Sequence, residues 1–205
     1  MNYFINSIKH FKTITKHKLF VMKYCFKLGL YKQGLLHDNS KYSSTEFLSS
    51  VKYFSGTRSP IDAEKEDLGY SLCWLHHKGH NPHHWEFWID DIGDNYHNNT
   101  YPKPIEIPIN YVLEMVCDWI AAGKVYMQDK WTFSSPYEYY LKMKPYRLIH
   151  CNTDVILDKI LYMIQETGID YTFHLIKNYF GEYFLPEKDF SIRSYKQYLK
   201  LQKKM

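Results

Sequence analysis

The sequence predicts an all-α protein, and three observations carry that expectation. Glycine and proline are scarce, 9 and 8 among 205 residues, while 18% of the chain is aromatic. Turn-makers are therefore too few for a many-stranded sandwich and large side chains are plentiful. Apolar residues recur at helical spacing in most stretches, and strand-like alternation is weak throughout. The hydrophobic share, 45%, is enough for a sizeable core and excludes a disordered chain.

The first helix is expected over Ile5–Leu28, where Phe11, Ile14, Leu19, Met22, Phe26 and Leu28 repeat among lysines, and Gly29 ends it. Lys32–Leu36 reads as a short second helix running into His37-Asp38-Asn39-Ser40, where Asn and Ser compete for backbone hydrogen bonds. Ser43-Ser44-Thr45-Glu46 offers a capping signal for a helix through Tyr53. Gly56 to Pro60 is a loop. Ile61–His77 reads as one long helix with an acidic first turn (Asp62, Glu64, Glu66), broken by Gly79, Asn81 and Pro82. Asp90–Pro108 is polar and rich in Asn, Pro and Gly, an expected exposed loop and candidate lid. Ile109–Gln128 is apolar on nearly every side and belongs in the core. Helices follow around Pro136–Lys142, Asp154–Gly168 and Tyr171–Tyr179, and Ser194–Met205 reads as a solvated helix or frayed tail. With no repeat and no long linker, a single domain is expected over 1–205.

The charge balance, 26 basic against 22 acidic residues for a net +4, suits anionic small molecules and falls short of a dedicated nucleic-acid binder. Cys25, Cys73, Cys117 and Cys151 form no C-x-x-C pair, so a thiolate zinc site or disulfide framework is not expected; each reads as a buried free thiol. No stretch has the unbroken apolar run of a signal peptide or approaches the ~18–20 residues of a membrane span. The expectation is a cytoplasmic protein without membrane partners. Exposed aromatics such as Tyr137, Tyr139, Tyr140 and Tyr195 would permit a homodimer.

Five of the eleven histidines fall within His76–His84. Such density carries a repulsion cost on protonation unless a metal keeps the rings neutral. The adjacent pair His37-Asp38 could share an ion only where a fraying helix end turns the backbone, because helical neighbours diverge by about 100°. Asp118 stands in the apolar run Met115–Ile120, where a carboxylate is costly unless paired or metal-bound. Glu114, one turn earlier, is a candidate acceptor for a ligand's free proton.

The order of these pieces resembles the HD-domain superfamily of metal-dependent phosphohydrolases. The matching segments are HKLFVMKYCFKLGLYKQGLLHDNSK (His17–Lys41), WLHHKGHNPHHWEFW (Trp74–Trp88) and VLEMVCDWIAAGKVY (Val112–Tyr126). The second also resembles a small HD-like family of bacterial and phage proteins of unknown function. The resemblance covers an HD-like core over about 10–130 and leaves a helical C-terminal extension over about 131–205. It implies an HD-type helical bundle in which His17, His37, Asp38 and Asp118 form a first metal site. Asp38 would bridge to a second ion held by His76, His77 and His84; His80 and His83 are alternatives within the cluster, and His10 is a rival to His17. Asp38 and Lys41 would serve catalysis, Lys41 facing a phosphate oxygen.

A nitrogen and oxygen donor set suits one or two divalent transition ions such as Mn, Fe, Co, Ni or Zn. The implied activity is hydrolysis of a small phosphorylated substrate, such as a nucleotide, by metal-activated water. Trp85, Trp88, Tyr126 and Trp131 are candidates to stack on a base, and Arg147, Lys124 and Lys130 to face phosphate. A di-iron HD-fold oxygenase and a non-catalytic nucleotide-binding module are the alternatives.

Overall fold

A computed structural model describes residues 3–93 and 100–204. The described residues form helices, short 3-10 turns and one two-stranded sheet, so the protein is all-α as expected. Chain contacts divide into two compact units, Met1–Pro82 with Ile120–Trp131, and His83–Trp119 with Thr132–Met205.

In the first unit, α1 (Tyr3–Lys27) buries His10, Ile14, His17, Val21, Tyr24 and Cys25. Their spacing of three or four residues keeps them on one face. Gly29 (φ 74°) turns the chain into α2 (Tyr31–Leu36), which packs on α1 at Gly34. A Cβ there would lie 3.0 Å from Cys25 Cβ and 3.2 Å from Met22 Cα, so the close approach of the two helices requires glycine. This packing brings the end of α2 toward His17. After a 3-10 turn over Asn39–Tyr42, α3 (Ser44–Tyr53) starts on the expected Ser43 cap.

The single helix expected over Ile61–His77 is two: α4 (Pro60–Leu68) and α5 (Leu72–His80). Gly69 adopts φ 79° and closes α4, and the Ser71 hydroxyl then accepts from Trp74 N–H (2.9 Å) to start α5. Buried Glu64 holds the junction, accepting hydrogen bonds from Ser49 and Ser71. α5 also runs through Gly79.

In the second unit, the expected loop Asp90–Pro108 contains two antiparallel strands, β1 (Ile89–Gly93) and β2 (Thr100–Pro104), with Asp91 opposite Pro102. Residues 94–99 of that candidate lid lie outside the described residues. β2 carries two prolines, which an outer strand with a single neighbour tolerates. α6 (Ile109–Met127) contributes residues to both units and buries Val112, Leu113, Val116, Cys117, Ile120 and Ala121. α7 (Ser135–Met143), α8 (Cys151–Thr167), α9 (Ile169–Asn178) and α10 (Phe180–Tyr183) follow.

The expected solvated tail is instead a docked helix, α11 (Tyr195–Gln202), started by a Ser194/Gln197 capping box. Tyr198 Oη and Gln202 Nε2 each donate to Glu106 Oε1 at 2.9 Å. Tyr140 and Tyr195, read as exposed, are fully buried; the Tyr140 hydroxyl reaches Asp154 Oδ1 at 2.7 Å, which satisfies its polar end inside. Tyr139 alone of that set is exposed. Cys25, Cys73 and Cys117 are buried free thiols, but Cys151 is exposed in the first turn of α8. No helix among the described residues is long and apolar enough to cross a membrane.

Candidate metal centre

The chain leaves α2 at His37 (φ −47°, ψ 128°), and Asp38 is left-handed at φ 53°, ψ 27°. Left-handed backbone costs a non-glycine residue roughly 1–2 kcal/mol, least for Asp and Asn. Here it turns two neighbouring side chains toward the same point, which helical backbone would hold about 100° apart. Lys41 N–H then donates to Asp38 C=O (3.0 Å), and the turn returns Lys41 Nζ to 2.5 Å from Asp38 Oδ2.

His17 Nε2, His37 Nε2 and Asp38 Oδ2 form a nearly equilateral triangle, with separations of 3.4, 3.5 and 3.3 Å. Donors held tetrahedrally about 2.1 Å from one ion stand about 3.4 Å apart, so the edges match those of a transition-metal site. All three residues are buried. The other carboxylate oxygen, Asp38 Oδ1, lies 3.3 Å from His77 Nε2. The two oxygens therefore face imidazoles from different helices, α1 and the end of α2 on one side and α5 on the other.

Burial alone would raise the Asp38 pKa. The charges of His37, Lys41 and His77 and a hydrogen bond from His17 outweigh it and hold the carboxyl well below its usual range. His77 is shifted downward, chiefly by burial, against the pull of Asp38 and Glu46. It is thus inclined toward the neutral, ligating form.

Glu46 organises the histidines of α5 and was not foreseen as a site residue. Its Oε2 lies 2.8 Å from His77 Nδ1 and its Oε1 2.7 Å from His76 Nδ1. Burial opposes the charged carboxylate, but hydrogen bonds from His77, His76 and Ser40 with the His77 charge bring its pKa below the ordinary value. In sequence, Glu46 reads as the last residue of the capping signal Ser43–Glu46. Its backbone N–H does meet Ser43 Oγ (3.4 Å), while its side chain turns inward to the imidazoles. Ser40 Oγ stands 3.3 Å from His77 Nδ1 and accepts from Asn81 Nδ2 at 2.8 Å.

The expected residues divide accordingly. His17, His37, Asp38 and His77 come together, with Lys41 against Asp38. His76 faces Glu46 and stacks on His80 at 4.1 Å between centroids, and it is not among the donors that converge on Asp38. His10 packs between Phe47 and Phe54, at 5.2 and 5.3 Å, two turns from His17 on α1, and joins no donor group. Trp131 is covered by Lys124, whose Nζ lies 4.0 Å from the ring, and Lys130 is exposed.

In the second unit, buried His83 and Glu114 meet at 3.3 Å (Nδ1 to Oε1). Glu114, a candidate acceptor for a ligand's proton, thus lies against His83. The His84 ring lies 4.2 Å from that of His83. Asp118 is buried on α6 one turn beyond Glu114. Trp88 packs on Tyr111, and the Arg147 guanidinium sits over Trp119 at 4.3 Å.

An all-α protein with buried clusters of imidazole and carboxylate able to hold a metal ion is the class that this fold and site define. The chain belongs to a family of unknown function (DUF5662), whose model matches residues 6–163 and so spans every histidine and carboxylate discussed above. No curated protein and no solved structure matches the chain.

Proposed function

We propose that the protein is a metal-dependent phosphohydrolase of HD type, acting on a nucleotide or other small phosphoester. The observation that carries this reading is the triangle of His17 Nε2, His37 Nε2 and Asp38 Oδ2 at metal-ligand spacing. These three hold the first ion, and the order of motifs in the sequence adds Asp118 as its fourth ligand. Asp38 Oδ1 beside His77 Nε2 suits a carboxylate that bridges to a second ion, with His84 a further ligand candidate from the sequence. Two nitrogens and an oxygen favour Mn, Fe, Co, Ni or Zn.

Such an ion, when bound, lowers the pKa of a water from 15.7 toward ~7 and offsets charge on phosphoryl oxygens. Asp38 stays ionised and fixes the ligand geometry, Glu46 keeps the Nδ1 proton of His77 so that Nε2 is free to ligate, and Lys41 supplies a positive charge to an arriving phosphate oxygen. A cytoplasmic setting accords with the three buried thiols.

The test is elemental analysis of gently, anaerobically purified protein, followed by phosphate release from a nucleotide panel with added manganese or cobalt. Expected are one or two ions per chain and phosphate release that Asp38→Ala abolishes while the helical CD spectrum persists. Protein that retains no transition metal overturns the reading. The imidazole-rich surroundings of Asp38 also favour a di-iron oxygenase as a second reading. Colour, two irons per chain and no phosphate release would select it. Bound nucleotide without turnover would select a non-catalytic module.

A further inference from the structure

The outward face of α1 carries an ordered pattern that the buried metal cluster does not use. Phe4, Ile8, Phe11, Thr15 and Leu19 recur at intervals of three or four residues, so they form one stripe along the helix up to the point where α2 packs on it. Phe4, Phe11 and Leu19 are 74%, 50% and 54% exposed. Beside the stripe runs a second one of Lys9, Lys12, Lys16, Lys23 and Lys27, every one exposed. A shallow trough of about 500 Å³ lies where the stripes meet, lined by Phe11, Lys12, Leu19, Phe20 and Lys23. α1 contains no Asp or Glu. Nearby groups from other elements are Tyr42, whose ring meets Phe11, and Asp129 and Lys124, which share a pocket with Lys16.

An apolar stripe flanked on one side by lysines is the arrangement of a helix that lies in a lipid interface. Apolar rings enter the acyl boundary, and lysines bind anionic headgroups while their stems cover apolar surface. A second copy of this chain is a poor occupant, since pairing two such faces sets lysine against lysine without an acid on either helix. We propose that α1 docks the protein peripherally on an anionic bilayer surface through Phe4, Ile8, Phe11 and Leu19 and the adjoining lysines. The surface is separate from the metal cluster, which occupies the opposite, buried face of the same helix.

Co-sedimentation of the full chain with vesicles of phosphatidylcholine, alone or with about one third phosphatidylglycerol, tests this. The protein should pellet with the anionic vesicles, stay in solution with the neutral ones, and dissociate as salt is raised. Lys12→Glu/Lys16→Glu/Lys23→Glu and Phe11→Ser/Leu19→Ser should each lower the partition coefficient by about tenfold or more with the CD spectrum retained. No pelleting of the wild-type chain with anionic vesicles overturns the proposal, as does equal binding to neutral ones. Loss in the lysine variant with full binding in the Phe11/Leu19 variant also overturns it, because that result is adsorption without insertion.

Discussion

His77 Nδ1 lies 2.8 Å from Glu46 Oε2, and that contact points Nε2 of the same ring at Asp38 Oδ1, 3.3 Å away. One imidazole thus links two buried carboxylates on different segments. Glu46 accepts from the Nδ1 side of the ring and leaves Nε2 facing Asp38.

Weakening that link should reduce metal affinity without unfolding the protein. Glu46→Gln keeps the size of the side chain and removes its charge, so metal affinity is expected to fall by about 10–100-fold. Competition with a fluorescent chelator measures it, with CD as the control. Affinity equal to wild type would mean that His77 does not ligate.

Asp38 joins an unusual backbone to the donor geometry, and the two are separable. Asn accepts left-handed φ nearly as well as Asp. Asp38→Asn should therefore keep the backbone turn and the helical fold. It should melt below the metal-free wild type because the Lys41 ion pair is lost, and hold metal at least ~10-fold more weakly. Chelation should lower the wild-type melting temperature, since ligand at 100 times its Kd stabilises the fold by about 2.7 kcal/mol. It should lower that of Asp38→Asn clearly less, since a tenfold weaker site keeps at most about 1.4 kcal/mol of it. Scanning calorimetry of both proteins with and without chelator decides this.

Much of this site is legible in the chain itself. The His37-Asp38 convergence falls where the sequence expects the helix to end, although the Asn39 and Ser40 side chains meet Lys18 and Asn81 and not the helix backbone. Glu46 escaped because its backbone does form the expected cap, and periodicity does not reveal the side chain's second, inward role. The break at Gly69 is hidden because Leu68, Leu72 and Leu75 continue a helical spacing across it. β1 and β2 read as loop because Asp90, Asp91 and two prolines outweigh a pairing decided by tertiary contacts. Tyr140 and the last helix were misjudged for one reason. A tyrosine or glutamine with a half-buried carboxylate partner packs like an apolar residue, and those partners, Asp154 and Glu106, are distant in sequence.

Thiol reactivity should separate the cysteines sharply. Cys151 is exposed, whereas burial pushes the Cys73 thiol up to about 11 and Cys25 and Cys117 are enclosed. Thiolate is the reactive form. A brief alkylation of native protein should label Cys151 alone, and denaturant should open the other three, as peptide mass spectrometry will show. Rapid native labelling of Cys73 would contradict the packing of α5 on α3.

His10 should make the fold acid-sensitive. Burial between Phe47 and Phe54, with Lys41 adding repulsion, lowers its pKa from 6.5 to about 4. Between those values the unfolded chain binds a proton that the folded chain refuses, so stability rises with pH across the window. The contribution is fully present above about 6.5 and is lost as pH falls through 4, for a total on the order of 3 kcal/mol. His10→Phe removes the titrating group and fills the same aromatic pocket. Its unfolding free energy should therefore decline less than that of wild type between about pH 7 and pH 4.5. Urea titrations of both proteins at the two pH values measure the difference, and parallel declines would show that His10 is protonated freely in the native state.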